Sequence, residues 1–370
     1  MKLHVPETVA DAAAAVDAAS QVRIRGGQSK QRHVDEVAKG VVVDTSALSG
    51  IVDYEPEEYT ITAKAGTSIR DLQSVLSAQG QYLPFDPPWV DQNATLGGTV
   101  ASGVSGAGRV RFGSLRDFVL GIQFIAADGQ VLYGGGRVVK NAAGFDLPKL
   151  FVGTYGRLGL ITEMTLKVFP YPASQMTLAM DLDAVEQAIE LLETFARNAF
   201  EMDALEYRPG TQSGGRVHVR LAGPDDAMQR HRDRIASMVR CDMTLEASTS
   251  YWQELREFSW ADSNQGILKV STTLDHVAAV VDWCRGQGVN CHIGGAGQVA
   301  YLAIDPGFDE GSLRSLLISL ETSAIWVRDF EARQGRYHVG DRLGESRSRR
   351  LWDGVKHTLD STNKFGDWSE

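Results

Sequence analysis

The sequence has little cysteine and no long apolar run, and each absence excludes a class of protein. Its three cysteines, Cys241, Cys284 and Cys291, show no C-x-x-C spacing, so we expect a reducing compartment and no zinc or iron–sulfur ligation by this chain alone. No stretch approaches the roughly 18 apolar residues of a membrane-spanning helix. The first twenty residues also lack the basic start and apolar run of a signal peptide. The sequence therefore predicts a cytoplasmic protein that reaches a membrane only through partners.

Positive charge is also scarce. Lysine and arginine total 37 against 47 aspartates and glutamates, which gives a formal net charge of -10. The acidic residues are spread along the chain, which argues against nucleic acid as the main partner. The chain contains neither the G-x-G-x-x-G signature of a Rossmann site nor the Gly-Lys-Ser/Thr ending of a phosphate loop. We therefore expect no nucleic-acid partner and neither of the two common nucleotide-binding folds.

The length and the pattern of apolar residues indicate two domains. The 370 residues, 43% of them hydrophobic, are enough for two buried cores. Before the segment PYP at 170–172 the chain shows short β-rich runs separated by glycine, and after it strands alternate with helices. We expect a first domain at 1–172, a second at 173–340, and a C-terminal helix and tail at 341–370. The alternation in the second domain predicts a ferredoxin-like layer, single or duplicated, with helices on one face of its sheet.

One helix of the first domain can be predicted with its ends. Thr67 or Ser68 is suited to be its N-cap, apolar residues follow at helical spacing, and Gly80 is suited to end it.

Glycine is concentrated in two segments of the first domain. One is RIRGGQSK at 23–30, and the other is TLGGTVASGVSG at 95–106. Consecutive glycines let the backbone come close to a ligand, and successive N–H groups can converge on an anion. Ser29, Thr95 and Ser102 add hydroxyl donors. The segments are either two tight turns or two facing loops that hold a pyrophosphate.

The order of these segments resembles the FAD-binding domain of the vanillyl-alcohol oxidase superfamily, also called the PCMH type. The resemblance runs from about Val5 to Pro170 and is carried by RGGQS, DPP followed by ATLGGTVASG, RFGSLRD, GIQFIAADGQVL and KNAAGFDLPKLFVGTYGRLGLITEMTLKVFP. Within the superfamily, the chain most resembles the FAD-binding E subunits of bacterial glycolate oxidase (glycolate dehydrogenase). The resemblance implies an α+β fold, in which a PCMH-type FAD-binding domain of two α+β subdomains precedes a ferredoxin-like cap domain.

The resemblance also implies which residues bind FAD. Those expected around the pyrophosphate are Arg25, Gly26, Gly27, Gln28 and Ser29. Those expected along the flavin and ribityl chain are Thr95, Gly97, Gly98, Ala101, Ser102 and Gly103. Gly159 and Ile161 are expected to contribute main-chain contacts near the adenine or the ribityl chain. Families with covalent flavin carry a histidine where this chain has Gln28, so we expect non-covalent FAD.

The second domain departs from related D-2-hydroxy-acid dehydrogenases, whose cap carries a metal-binding H-x-G-D-G-N-x-H stretch. The corresponding HIGGAGQV, residues 292–299, keeps only His292. We expect no metal site, and His292 to be a hydrogen-bonded core or surface residue. No motif assigns catalytic residues or ranks the arginines that could hold a substrate carboxylate. These are Arg109, Arg111, Arg220 and Arg328. The tail LDSTNKFG at 359–366 also departs from its relatives, which leaves its return to the flavin open.

The function implied is that of an FAD-dependent oxidoreductase subunit. The complex would oxidise a small-molecule 2-hydroxy acid, glycolate or D-lactate, to the 2-oxo acid. Its partners would be a catalytic flavoprotein subunit and an iron–sulfur subunit that receives the electrons. The place would be the cytoplasm, or the inner face of the bacterial plasma membrane through those partners. Two alternatives stay open: a non-catalytic assembly subunit of that complex, and a freestanding FAD-dependent oxidase of a related hydroxy acid.

Overall fold

The fold of the first 170 residues contains two larger sheets and a two-stranded sheet of β6 and β10. The computed structural model describes residues 2–30, 40–136, 146–198, 200–246, 249–329, 339–344 and 349–366. The elements in this part are β1 (Lys2–His4), α1 (Val9–Ala18), β2 (Val22–Arg25), β3 (Val41–Asp44), β4 (Ile51–Glu55), β5 (Thr60–Lys64), α2 (Ile69–Ser77), β6 (Gln81–Tyr82), α3 (Leu96–Ser102), α4 (Arg109–Phe112), β7 (Val119–Ile125), β8 (Val131–Gly135), α5 (Leu147–Phe151), β9 (Leu160–Lys167) and β10 (Phe169–Pro170). A parallel sheet has the order β1-β3-β2, and an antiparallel sheet has the order β4-β5-β9-β7-β8.

The predicted helix of this part forms as α2. The Ser68 hydroxyl accepts a hydrogen bond from the backbone N–H of Asp71 at 3.0 Å, as an N-cap does. Ile69, Leu72 and Leu76 are fully buried on one face. Gly80 follows the helix with a positive φ of 64°, which a glycine adopts without steric cost. The sequence pattern therefore predicted this helix and its start correctly.

The second part of the chain forms one nine-stranded antiparallel sheet with helices. Its elements are β11 (Ser174–Leu182), α6 (Val185–Arg197), β12 (Met202–Pro209), β13 (Gly215–Gly223), α7 (Asp225–Met238), β14 (Met243–Glu246), α8 (Ser250–Glu257), β15 (Gly266–Ser271), α9 (Leu274–Gln287), β16 (Asn290–Gly294), β17 (Val299–Ile304), α10 (Glu310–Ser319), β18 (Ser323–Arg328), β19 (Arg342–Gly344) and α11 (Arg349–Leu359). The strand order is β14-β11-β13-β12-β16-β17-β15-β18-β19.

The ferredoxin-like layer is duplicated. Strands β11 to β14 with α6 and α7 form one β-α-β-β-α-β unit, and strands β15 to β18 with α9 and α10 form a second one with the same internal strand order. The two units join edge to edge where Tyr207 of β12 pairs with Ile293 of β16. Helix α8 lies between the units along the chain. The predicted ferredoxin-like cap is confirmed, and the structure settles that it is a double unit.

The nine-stranded sheet, which we call the cap sheet, buries both of its faces. One face packs on α6, α9 and α10 through residues such as Leu268 and Leu302. The other face packs on the first domain, where Ile267, Tyr301 and Val327 join the core around Trp89. Trp89 is fully buried and stacks on Phe258 with ring centres 4.6 Å apart. The cap sheet therefore lies directly against the first domain.

Two features differ from the expectations. Residues 96–102, read as a loop, form α3, because Leu96 and Val100 anchor a helix turn in the core. Strand β19 pairs with β18, so residues 342–344 belong to the cap sheet rather than to a separate C-terminal piece.

Within the described ranges, no helix combines the length and apolarity that a membrane crossing needs.

Candidate functional site

A cleft opens between the two glycine-rich segments of the first domain. All of the predicted cofactor-binding residues except Gly103 line it, together with Arg23, Lys30, Tyr155, Gly156, Arg157, Val339 and Phe365. Gly103 instead ends α3 with a φ of +63°, and a Cβ there would lie 3.0 Å from the backbone of Gly153. The structure therefore brings the two segments together around one space.

The first segment begins where β2 ends. Arg25 is fixed there by Asp44 at the end of β3, with 2.7 Å between Arg25 Nε and Asp44 Oδ2. Gly27 lies against the second segment so closely that a Cβ would meet the carbonyl oxygen of Asn93 at 1.9 Å. Gln28 follows with a φ of +55°. The glycines therefore let the loop lie on its neighbour.

The backbone N–H groups of this loop are available to a ligand. From Gly26 to Ser29, none of them donates a hydrogen bond to another group within the described part of the chain. Adjacent N–H groups of this kind, next to a residue of positive φ, form concave anion sites in proteins. Their arrangement suits phosphate oxygens that approach from the cleft.

The second segment presents the start of a helix rather than a loop. Thr95 caps α3 by accepting a hydrogen bond from the N–H of Gly98 at 3.3 Å. Gly97 packs on Ala65, whose carbonyl accepts its N–H at 2.7 Å. At Gly98, by contrast, a Cβ would meet only the Thr95 hydroxyl, at 3.1 Å. Gly97 is therefore required by packing, whereas Gly98 leaves open space on the cleft side.

The charge of the cleft is opposite to that of the protein. Its described lining contains the cations Arg23, Arg25, Lys30 and Arg157 and no aspartate or glutamate, although the chain as a whole has a net charge of -10. Arg25 is paired with Asp44 and Arg157 with Asp341. The sequence predicted Arg25 as a cofactor-binding residue but not Arg23 and Lys30, which lie in the same segment, or Arg157, which only the fold brings to the cleft. Such a lining attracts an anionic ligand.

The C-terminal tail returns to this cleft. The backbone N–H of Val22 donates to the carbonyl of Lys364 at 2.8 Å, and Phe365 lines the cleft beside β2. The Lys364 ammonium donates to the carbonyl of Val16 at 2.9 Å. The tail therefore packs on the first domain beside the cleft although its motif has diverged.

A second pocket lies between the first domain and the cap sheet. Its lining includes Arg109, Trp260, His292 and Tyr301. His292 is only 4% exposed, and its Nε2 lies 2.5 Å from a carboxylate oxygen of Glu206. The other oxygen of Glu206 accepts the N–H of Gly295 at 3.1 Å. His292 is therefore a buried, hydrogen-bonded residue on this wall. The described residues contain no group of three or more histidines, cysteines, aspartates and glutamates that could share a metal ion.

The structure ranks the arginines that the sequence could not. Arg111 pairs with Asp203 at 2.9 Å and Arg220 with Asp86 at 2.6 Å. Arg328 donates to two backbone carbonyl oxygens, at 3.0 Å each. Arg109 has no carboxylate within 4.0 Å in the described ranges, and it lines the second pocket. Arg109 is therefore the arginine best placed to hold an incoming carboxylate.

Comparison with known proteins identifies the domain that carries the cleft. Residues 3–134 match the family model described as "FAD binding domain". The chain is 35% identical over 234 residues to glycolate oxidase subunit GlcE of Escherichia coli, an alignment that covers 63% of each chain. It is also 31% identical over 171 residues to a D-lactate dehydrogenase of Anaerostipes hadrus, covering 46% of this chain and 36% of that protein. The matched region thus spans less than two thirds of the length of these relatives.

Solved structures support the fold over nearly the whole chain. An alkyldihydroxyacetonephosphate synthase covers 98% of this chain with a TM-score of 0.70 and 15% sequence identity, and this chain covers 76% of that structure. At this identity the likeness concerns the fold alone. The fold predicted from the sequence, a PCMH-type domain followed by a cap, is confirmed, and so is FAD as the cofactor of the matched domain.

Proposed function

We propose, from the premise that the first domain of this chain belongs to the FAD-binding domain family, that the chain binds FAD non-covalently in its cleft and serves in a complex that oxidises a 2-hydroxy acid. The observation that carries the proposal is the cleft itself. It combines a loop of available N–H groups with four cations and no carboxylate in its described lining. FAD brings a pyrophosphate anion to such a site. When bound, it supplies the redox chemistry, while the protein supplies binding and orientation.

We expect acid to release the cofactor intact. The first loop has Gln28 where a covalent link would need a histidine, and an amide side chain forms no such bond. Precipitating the holoprotein with trichloroacetic acid should therefore leave all yellow colour in the supernatant, where chromatography would identify it as FAD. Colour that stays with the pellet would contradict non-covalent binding, and release of FMN would contradict the assignment of the cofactor.

The substrate class is inferred from the relatives and from the second pocket. The relatives are named as glycolate oxidase subunits and D-lactate dehydrogenases. Converting a 2-hydroxy acid to a 2-oxo acid removes two electrons and two protons, so a site needs a cation for the carboxylate and a base for the hydroxyl proton. Arg109 offers the cation on the wall of the second pocket. We propose glycolate or D-lactate as the substrate.

The electrons are proposed to leave through a companion iron–sulfur subunit, and a separate catalytic flavoprotein subunit is proposed to complete the complex. The three cysteines of this chain have no spacing for a cluster. The proposed place is the cytoplasm or the inner face of the bacterial plasma membrane, with any attachment through partners. An anaerobic spectrum of the chain with glycolate, alone and with its partner subunits, tests the proposal. Bleaching in the chain alone would assign turnover to it, and bleaching only in the complex would favour the assembly role. Formation of hydrogen peroxide by the chain in air would favour a freestanding oxidase.

Arg109→Met should weaken reduction by glycolate without weakening FAD binding. A hydrogen bond to a charged group contributes about 1.5–3 kcal/mol, so the glycolate concentration that gives half-maximal bleaching should rise by about tenfold or more. The readouts are that concentration and the FAD dissociation constant, in the chain and in the assembled complex. Arg109→Lys should restore part of the effect, and Arg230→Met, an exposed change on α7, should have none. Unchanged glycolate dependence in Arg109→Met would remove Arg109 from the substrate site.

A further inference from the structure

Lys30 is a buried cation at the end of the first glycine loop. It is 6% exposed and lines the cofactor cleft. Its ammonium lies 4.9 Å from the centre of the Trp89 ring and 3.4 Å from the Ser29 hydroxyl. In the described part of the chain no carboxylate lies within 4.0 Å of it. Lys30 therefore lies in the core with no counter-ion among the described residues.

This arrangement is unfavourable for the protein without its ligand. A buried ammonium without a paired anion loses its hydration and gains little in return. Burial lowers the pKa of Lys30 to about 7, and the more distant Glu257 offsets this only in part. The other buried cation of the cleft, Arg157, has Asp341 as a partner. The cleft thus contains a positive charge that a bound anion would complete.

The position of Lys30 puts this charge where the first domain meets the cap. Its carbonyl oxygen accepts the backbone N–H of Asp329, just beyond β18, at 3.1 Å. Trp89, beneath the ammonium, stacks on Phe258, which lines the second pocket. Lys30 therefore directly follows the first glycine loop and lies over Trp89, which packs on a residue of the second pocket's wall.

We propose that Lys30 is a positioning residue whose ammonium pairs with negative charge on the bound FAD. The inference rests on the FAD site of the proposed function and is independent of the hydroxy-acid substrate. Two parts of the cofactor can supply the charge: the pyrophosphate, which is always anionic, and the flavin ring, which becomes more negative on reduction. Both are anions within the same cleft, and binding measurements separate them.

The experiment compares the wild-type chain with Lys30→Met in three measurements. These are the dissociation constant of oxidised FAD, the dissociation constant of ADP, which carries the pyrophosphate without the ring, and the midpoint potential of bound FAD. Loss of tenfold or more in affinity for both FAD and ADP, with the potential unchanged, supports pairing with the pyrophosphate. Unchanged affinity for oxidised FAD, with a potential lower by about 30 mV or more, supports pairing with the ring, since 30 mV corresponds to a tenfold change for two electrons. Lys30→Arg should recover part of either effect.

Stability of the cofactor-free protein excludes a merely structural role. Below pH 7 folded Lys30 carries its charge in the core, and this cost declines as the pH rises from about 7 towards the ordinary lysine pKa near 10.5. Lys30→Met should therefore melt higher than wild type at pH 6, and the difference should shrink by pH 10. Lys269→Met is the matched control. Burial also lowers the pKa of Lys269, to about 8, but this residue of the cap sheet does not line the cleft, so its loss should leave FAD affinity unchanged.

Three outcomes would overturn the inference. The first is that both dissociation constants and the potential of Lys30→Met match wild type. The second is a cofactor-free Lys30→Met protein that melts lower than wild type at pH 6, because Lys30 would then stabilise the fold itself. The third is a wild-type chain that binds no FAD, which would overturn the proposed function as well. Wild-type binding with an unaffected Lys30→Met protein would overturn this inference alone.

Discussion

Replacing Gly98 by leucine is expected to abolish FAD binding while leaving the fold intact. Gly98 lies in the first turn of α3 and lines the cleft, and a Cβ there meets only the Thr95 hydroxyl. A leucine side chain therefore extends into the space that the cofactor needs. Within a helix, leucine is more favourable than glycine by roughly 0.5–1 kcal/mol, so the protein itself should not lose stability. FAD affinity should fall by about three orders of magnitude, or about 4 kcal/mol.

The measurement is quenching of FAD fluorescence on titration, together with a melting curve of the cofactor-free protein. Gly286→Leu is the matched control, because Gly286 is an exposed helical glycine in α9 with open space at its Cβ. It should gain the same helix propensity and keep FAD. A Gly98→Leu protein that stays yellow would place the cofactor elsewhere. Gly27→Leu would be less informative, because a side chain there collides with the backbone of Asn93 rather than with a ligand.

The difference between Gly27 and Gly98 shows which part of the site could be predicted from the sequence. The pattern at 23–30 and 95–106 identified the segments that line the cleft, because close backbone approach needs glycine in any such site. It could not say which partner each glycine approaches. Gly27 approaches Asn93, Gly97 approaches Ala65, and Gly98 faces open space. The same glycines also concealed α3, since local propensity disfavours a helix that tertiary packing of Leu96 and Val100 stabilises.

The fold type of the cap could be predicted from the sequence, but not all of its strands. The sequence predicted a ferredoxin-like layer from the alternation of strands with helices, which regular elements such as α6, α9, β15 and β17 produce. Strands β12 and β16 are less regular, because Asp203, Glu206 and His292 interrupt their apolar pattern. Glu206 and His292 line the second pocket, and Asp203 pairs with Arg111. Two of the three residues that interrupt the pattern therefore belong to this wall of the pocket.

The lining of the cleft could be predicted only in part from one segment. Arg23, Arg25 and Lys30 all lie in the first glycine-rich segment, whereas Arg157 comes from elsewhere in the first domain and Phe365 from the far end of the chain. The packing of the tail on β2 brings Phe365 to the same space. Motif reasoning finds ligand contacts made by consecutive residues. It misses contacts that depend on long-range topology.

The tail itself should prove essential, and Asp360→Ala is expected to destabilise the protein by about 3–5 kcal/mol. The Asp360 carboxylate is buried and lies 2.6 Å from the Lys356 ammonium, and it also accepts the backbone N–H groups of Lys364 and Phe365 at 2.8 Å each. Removing it takes the carboxylate away from the buried Lys356 ammonium, which keeps its hydrogen bond to the Arg157 carbonyl, and leaves two backbone donors without their acceptor. FAD affinity should fall too, because Phe365 lines the cleft. Melting curves with and without FAD give both effects.

Two further variants separate the causes of this loss. Asp353→Ala, an exposed change on the same helix α11, should stay within about 0.5 kcal/mol of wild type. The double variant Lys356→Met/Asp360→Leu removes the buried ammonium together with its carboxylate and should recover part of the stability. It should not recover the FAD affinity, because the N–H groups of Lys364 and Phe365 still lack their acceptor and the tail stays loosened. Equal stability of Asp360→Ala and wild type would mean that the tail does not hold this side of the cleft. If the double variant recovers stability without recovering FAD binding, as expected, this supports an effect of Asp360 on the cofactor through the position of Phe365.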